Sequence, residues 1–113
     1  MSRSPRSRVE DILVACETIS AYLTLDDLDE GILFDAVRIR LIEIGEAAKG
    51  LPRTLTTGEI EIPWAQLSRM RDHLAHRYFD ASHAIVLDTA RHDIPALADA
   101  ARRMLAQIDA GAA

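Results

Sequence analysis

The apolar residues between Asp26 and Lys49 are not confined to one helical face. Leu33, Val37, Leu41, Ile44 and Ala48 recur at the steps of an amphipathic helix and form one stripe. Ile32, Ile39 and Ile42 widen that stripe well beyond one side. A helix apolar over so much of its circumference must be buried twice. The chain has 113 residues, enough for one compact domain but not for a second independent core. The second burial is therefore expected against another subunit. Gly45 and Ala47 on this helix permit close approach by a neighbour, and Gly50, Leu51 and Pro52 stop it.

The remaining segments are also helical. Val9, Ile12, Leu13, Cys16, Ile19 and Leu23 predict a helix over about 8–23, preceded by a polar tail at residues 1–7 that carries Arg3 and Arg6. The tail reads as flexible, with a nucleic-acid-binding arm as its functional alternative. Thr24–Asp27 supplies helix-start residues for the next element. Residues 52–62 show turn residues without periodicity, and Pro63 opens a helix through Trp64, Leu67, Met70 and Leu74 to about Tyr78. After a break at 80–83, with Asp80 or Ser82 as N-cap, a last helical stretch runs over about 84–110. Pro95 should kink or restart it, with Asp93 as a cap. Scarce aromatics, at 4% of residues, agree with packed helices rather than a sandwich of sheets. The expected fold is all-α: an antiparallel bundle of about four to five helices spanning 8–110, dimerising through its second and motif helices.

Net charge is -5, which argues against a protein that coats nucleic acid in bulk. Cys16 is the only cysteine, so neither an internal disulfide nor a cysteine-based zinc site is available, and it reads as a small buried residue. His83, His92 and Asp88 lack metal-site spacing, and no metal or cofactor is expected. No apolar run approaches the roughly 20 residues of a membrane span, and the N-terminus does not read as a secretory signal. The expected location is the cytoplasm.

Against this acidic background, Arg69, Arg71, Asp72, His73, His76, Arg77 and Tyr78 crowd into ten residues. Such a local anomaly marks a candidate site. Metal-free RNA cleavage needs a proton removed from the 2′-OH, a proton given to the leaving 5′-oxygen, and the charge on the phosphorane held. A histidine moves protons near neutral pH, and an arginine fork holds two phosphate oxygens. Arg71 and His76 are the candidates for these roles. Five residues apart, they point roughly 140° from one another on a straight helix. A shared site then needs a long reach by Arg71, a distorted helix, or a second copy of the segment across a cleft.

The stretch from Arg71 to Tyr78 resembles the R-x4-H-x-Y motif of HepT-like toxins, members of the HEPN superfamily. The run Arg38 to Lys49, ending in Ile44-Gly45-Glu46-Ala47-Ala48-Lys49, is similar to that family's second helix. Ile62-Pro63-Trp64 resembles its entry to the motif helix, and Asp93-Ile94-Pro95-Ala96-Leu97 its last helix, with Ile94 where the family has Leu. The resemblance implies a helical homodimer with the motif lining an intersubunit cleft, and a metal-independent endoribonuclease acting as a toxin. It also implies a minimal nucleotidyltransferase antitoxin that transfers AMP to Tyr78, placing bulk and negative charge in an RNA-binding cleft. The alternative is a non-catalytic nucleotide- or RNA-binding module partnering a nucleotidyltransferase.

Each residue also has a plainer reading. His76 can be a surface residue at a helix end. Arg71 can be a structural ion pair to Asp72, Glu43 or Glu46. Asp72 can orient Arg71 or His76, or be a solvated carboxylate. Tyr78 can be a modified residue, a stacking platform for a base, or an aromatic closing the helix against the core. Arg69, His73 and Arg77 can contact RNA phosphate or simply be solvated, and Trp64 reads as core.

Overall fold

A computed structural model of the chain describes residues 3–76 and 82–111. The order is α1 (Pro5–Leu23), α2 (Glu30–Lys49), α3 (Arg53–Thr56), α4 (Trp64–His76) and α5 (His83–Asp109). The all-α expectation holds, and there is no strand among the described residues. The part of the motif at Arg77 and Tyr78, and the break expected near Asp80, lie outside the described residues.

α1 packs between α2 and α5, whereas α4 packs mainly on α2. The polar contacts give the directions. Arg6 pairs with Asp109 and Arg102 lies 4.0 Å from Glu17, so α1 and α5 run antiparallel. Arg8, early in α1, donates to Glu46 O near the end of α2 at 3.4 Å, so these two are antiparallel as well. The core is formed by Val9, Ile12, Cys16 and Ile19 of α1 against Phe34, Val37, Leu41 and Ile44 of α2. Leu97, Ala101 and Met104 complete it from α5. Phe34 is fully buried, and burial of such a side chain stabilises by about 1.5–3 kcal/mol.

Several boundaries differ from the sequence reading. α1 starts at Pro5, inside the segment expected to be a tail, because the Ser4 hydroxyl accepts from Ser7 N and Pro5 is pre-set for a first helical position. α2 starts later than Asp26. Asp29 is its cap, with Oδ1 accepting from Gly31 N at 2.8 Å. Residues 53–56 of the expected loop form one helical turn. Pro95 does not interrupt α5, and Asp93 does not cap a new helix. Pro95 is on the exposed side, while Ile94, Leu97, Ala98 and Ala101 keep both halves of the helix against the core. That continuous burial offsets the lost backbone hydrogen bond, worth roughly 3 kcal/mol with the steric strain. Ser82 caps α5, accepting from Ile85 N.

The connection from α3 to α4 is tied down at Glu59. Its side chain is buried and takes a bidentate interaction from Arg103 of α5, with Nε to Oε2 at 3.1 Å and Nη2 to Oε1 at 2.6 Å. Hydrogen bonding to Glu59 raises the Arg103 pKa above its ordinary value. Glu59 O accepts from Trp64 Nε1 at 3.1 Å, which fixes the first residue of α4. Trp64 is half-buried against the core rather than enclosed by it. No helix among the described residues is long and apolar enough to cross a membrane.

Candidate active site on the α2–α4 seam

α4 buries Leu74 and half-buries Leu67 and Met70, one face at three- and four-residue spacing. On its α5 side an apolar groove of about 500 Å³ remains, lined by Leu67, Met70, Val86 and Ile94 among others. α4 therefore depends mainly on α2 for its position, and Gly45 makes that contact close. A Cβ placed on Gly45 would stand 2.3 Å from the Arg71 Cβ and 2.8 Å from Leu67 O. Only a residue without a side chain lets the two helices meet there.

That contact turns Arg71 toward α2. Its Nη1 donates to Asp72 Oδ1 at 3.0 Å, and its Nε lies 2.9 Å from Glu46 Oε2. The second contact is one of charge: Nε is buried but not aligned with Glu46 for a hydrogen bond. About a quarter of the Arg71 side chain stays exposed, at 27%, and among the described residues no hydrogen bond occupies Nη2. The plainer reading of Arg71 as an ion-paired residue and the functional one are thus compatible. Two carboxylates hold the guanidinium, at Nε and at Nη1, and the side chain keeps some exposure.

His76 is the last described residue of α4 and is exposed. α4 is α-helical without interruption from Trp64 to His76, so no distortion shortens the path between Arg71 and His76. Arg71 faces α2, and His76 points roughly 140° further round. Arg69 and His73 are exposed on the same helix, as is Asp72. Arg77 and Tyr78 lie outside the described residues. Among the described residues His83 belongs to no cluster of metal-ligating side chains. Its ring stacks on Phe34 at 4.0 Å and 14°. His92 Nδ1 lies 2.8 Å from Asp88 O within α5.

Two contributors on α2 were not singled out in the sequence reading. Arg38 donates from Nη1 to Leu74 O at 2.9 Å. That contact places a cation from α2 against the backbone of the turn that carries His76. Glu46 is the other, since it was left as one of several partners for Arg71. The signal lay in spacing: Phe34, Arg38, Leu41 and Gly45 follow one another at three- and four-residue steps along one side of α2.

The chain matches the model of the family described as ribonuclease HepT-like over residues 10–104. A protein of Thermococcus cleftensis named "Probable ribonuclease HepT" is 38% identical over 102 residues, covering 86% of this chain and 92% of its own. A "Putative RNase" of Caldanaerobacter subterraneus is 30% identical over 91% of this chain and 96% of its own. Another, from Methanocaldococcus jannaschii, is 34% identical over 82% and 84%. No solved structure matches the chain significantly. With one helical domain matched over most of its length, and relatives of similar size, the chain belongs to the HepT-like ribonuclease family.

Proposed function

We propose that the protein is a metal-independent endoribonuclease whose working site combines the motif helices of two copies. The observation that carries this reading is the state of Arg71. Its guanidinium is held by Glu46 and Asp72, is 27% exposed and has no hydrogen bond at Nη2 among the described residues, on the same helix as the exposed His76. In the proposed reaction one His76 takes the proton from the ribose 2′-OH as that oxygen attacks the adjacent phosphorus. The bond from phosphorus to the 5′-oxygen breaks, and the leaving oxygen is protonated by the His76 of the other copy. The products are a 2′,3′-cyclic phosphate and a 5′-hydroxyl. Arg71 holds the additional negative charge of the phosphorane. Asp72 supports Arg71, while Arg69, His73 and Arg77 offer phosphate contacts along the strand.

The two-copy arrangement is supported by the 140° between Arg71 and His76, too wide for one compact site on one helix. It is also supported by Ile32 and Ile39, which are 59% and 48% exposed on α2. Seven residues apart, they share a face that a second copy would cover.

The cellular role proposed is that of a toxin, held in check by a minimal nucleotidyltransferase that attaches AMP to Tyr78. The added charge and bulk would exclude RNA from the cleft. The test uses purified protein on tRNA and mRNA with EDTA present. Wild type is expected to cleave, and Arg71→Ala and His76→Ala to be folded but inactive. Undiminished cleavage by both variants would overturn the assignment. Loss of cleavage with EDTA would overturn metal independence. For the antitoxin, intact mass after co-expression should show one adenylyl group, absent from Tyr78→Phe.

A further inference from the structure

Glu46 is an exposed acid beside the one arginine on which the proposed chemistry depends. Acids are poor neighbours for a phosphate-binding group, because they repel the ligand the arginine attracts. With Asp72 on the other inner edge, Arg71 sits in a group of three side chains whose formal charge is -1 rather than +1. Such an arrangement weakens ground-state attraction for an RNA phosphate. The pair also contributes little to folding, since the Glu46 side chain is 57% exposed and the contact is not an aligned hydrogen bond. What the contact does supply is direction. Gly45 brings the Arg71 Cβ against α2, and the next residue, Glu46, meets the Nε edge. Glu46 at Nε and Asp72 at Nη1 thereby hold the guanidinium from two sides and fix its heading.

We infer that Glu46 is a positioning residue that aims Arg71, and that it exchanges RNA affinity for turnover. This rests on the ribonuclease reading above. Positioning matters most in the transition state, when the phosphorane carries more negative charge than the bound diester and needs the guanidinium at a defined angle. The repulsion between Glu46 and RNA is present already in the ground state. The two effects therefore act on different kinetic constants, and a merely structural role would not separate them.

The experiment is steady-state cleavage of a mixed-sequence single-stranded RNA oligonucleotide by wild type, Glu46→Gln and Glu46→Asp, with melting temperatures measured alongside. Gln keeps the size and removes the charge. KM is expected to fall by about threefold, and kcat by about tenfold. Asp keeps the charge but is too short to reach Nε, so kcat should fall with KM nearly unchanged. The KM difference between wild type and Glu46→Gln should shrink as salt is raised, because it is a screened repulsion. An active wild type with Glu46→Gln unchanged in both constants overturns the inference and leaves the ribonuclease reading standing. Loss of kcat together with a large drop in melting temperature, or a rise in KM, also overturns it in favour of a structural role. A wild type that cleaves no RNA removes the ribonuclease reading and this inference with it.

Discussion

Gly45 of α2 and the Cβ of Arg71 of α4 are packed so closely that a single added methyl group would lie 2.3 Å from Arg71 and 2.8 Å from the Leu67 carbonyl oxygen. The second neighbour is backbone, so rotating a side chain cannot relieve the clash. The helix carrying the candidate chemistry is thus registered on α2 through a residue with no side chain.

Gly45→Ala offers a test with opposing signs. In an unobstructed helix interior, Ala is more stable than Gly by about 1 kcal/mol. Here α4 must move outward, and overpacking of this kind typically costs about 1–3 kcal/mol. Chemical denaturation should show a net loss of stability, and RNA cleavage should fall because Arg71 moves away from Glu46. A more stable and fully active variant would show that the contact does not position the site.

Arg38 tests the other end of α4. Arg38→Met keeps the length of the side chain and removes the charged donor to Leu74 O. A hydrogen bond from a charged group contributes about 1.5–3 kcal/mol. The last turn of α4 should then exchange its amide hydrogens faster, while the core amides of α1 slow or accelerate only with global stability. Unchanged exchange around His76 would mean that Leu74 O is not held by this contact.

The proposed second copy predicts two results. Ile39→Asp places a charge on the exposed apolar face of α2 and should shift the protein from dimer to monomer in light scattering, with loss of cleavage. Mixing wild type with inactive His76→Ala, followed by subunit exchange, should lower activity below that of the wild-type pairs alone, since a mixed pair holds only one of the two His76 side chains the proposed reaction uses. A fully active Ile39→Asp monomer would refute the shared cleft.

Cys16 predicts a pH dependence. Burial pushes its thiol from 9.0 up to about 12, with Arg102 opposing the shift. A thiol reagent at pH 8 should leave the native protein untouched and react fully in denaturant. The folded state favours the protonated thiol, so the associated stability is complete below about pH 9 and is lost as pH rises toward 12. The urea midpoint should fall over that range more steeply in wild type than in Cys16→Ala, which has no thiol to ionise.

The helical class, the core positions of α1 and α2, and the concentration of Arg71, Asp72, His73 and His76 on one segment were all legible from spacing and residue type. So was Gly45 as a place of close approach. The less legible features depended on competition between local signals and tertiary burial. Pro95 is a helix breaker by its own chemistry, yet α5 passes through it because Ile94, Leu97 and Ala98 are buried on the far side. Arg3 and Arg6 look like a tail, but Ser4 and Pro5 start a helix and both arginines find acidic partners. Periodicity alone placed Arg71 beside the apolar stripe and left Asp72, Glu43 and Glu46 as equal candidates for its partner. Which carboxylates hold it was decided by the antiparallel register of α2 and α4. Periodicity is a property of one helix, whereas the register between two helices comes from packing, here from the absence of a side chain at Gly45 and the reach of Arg38 to Leu74 O.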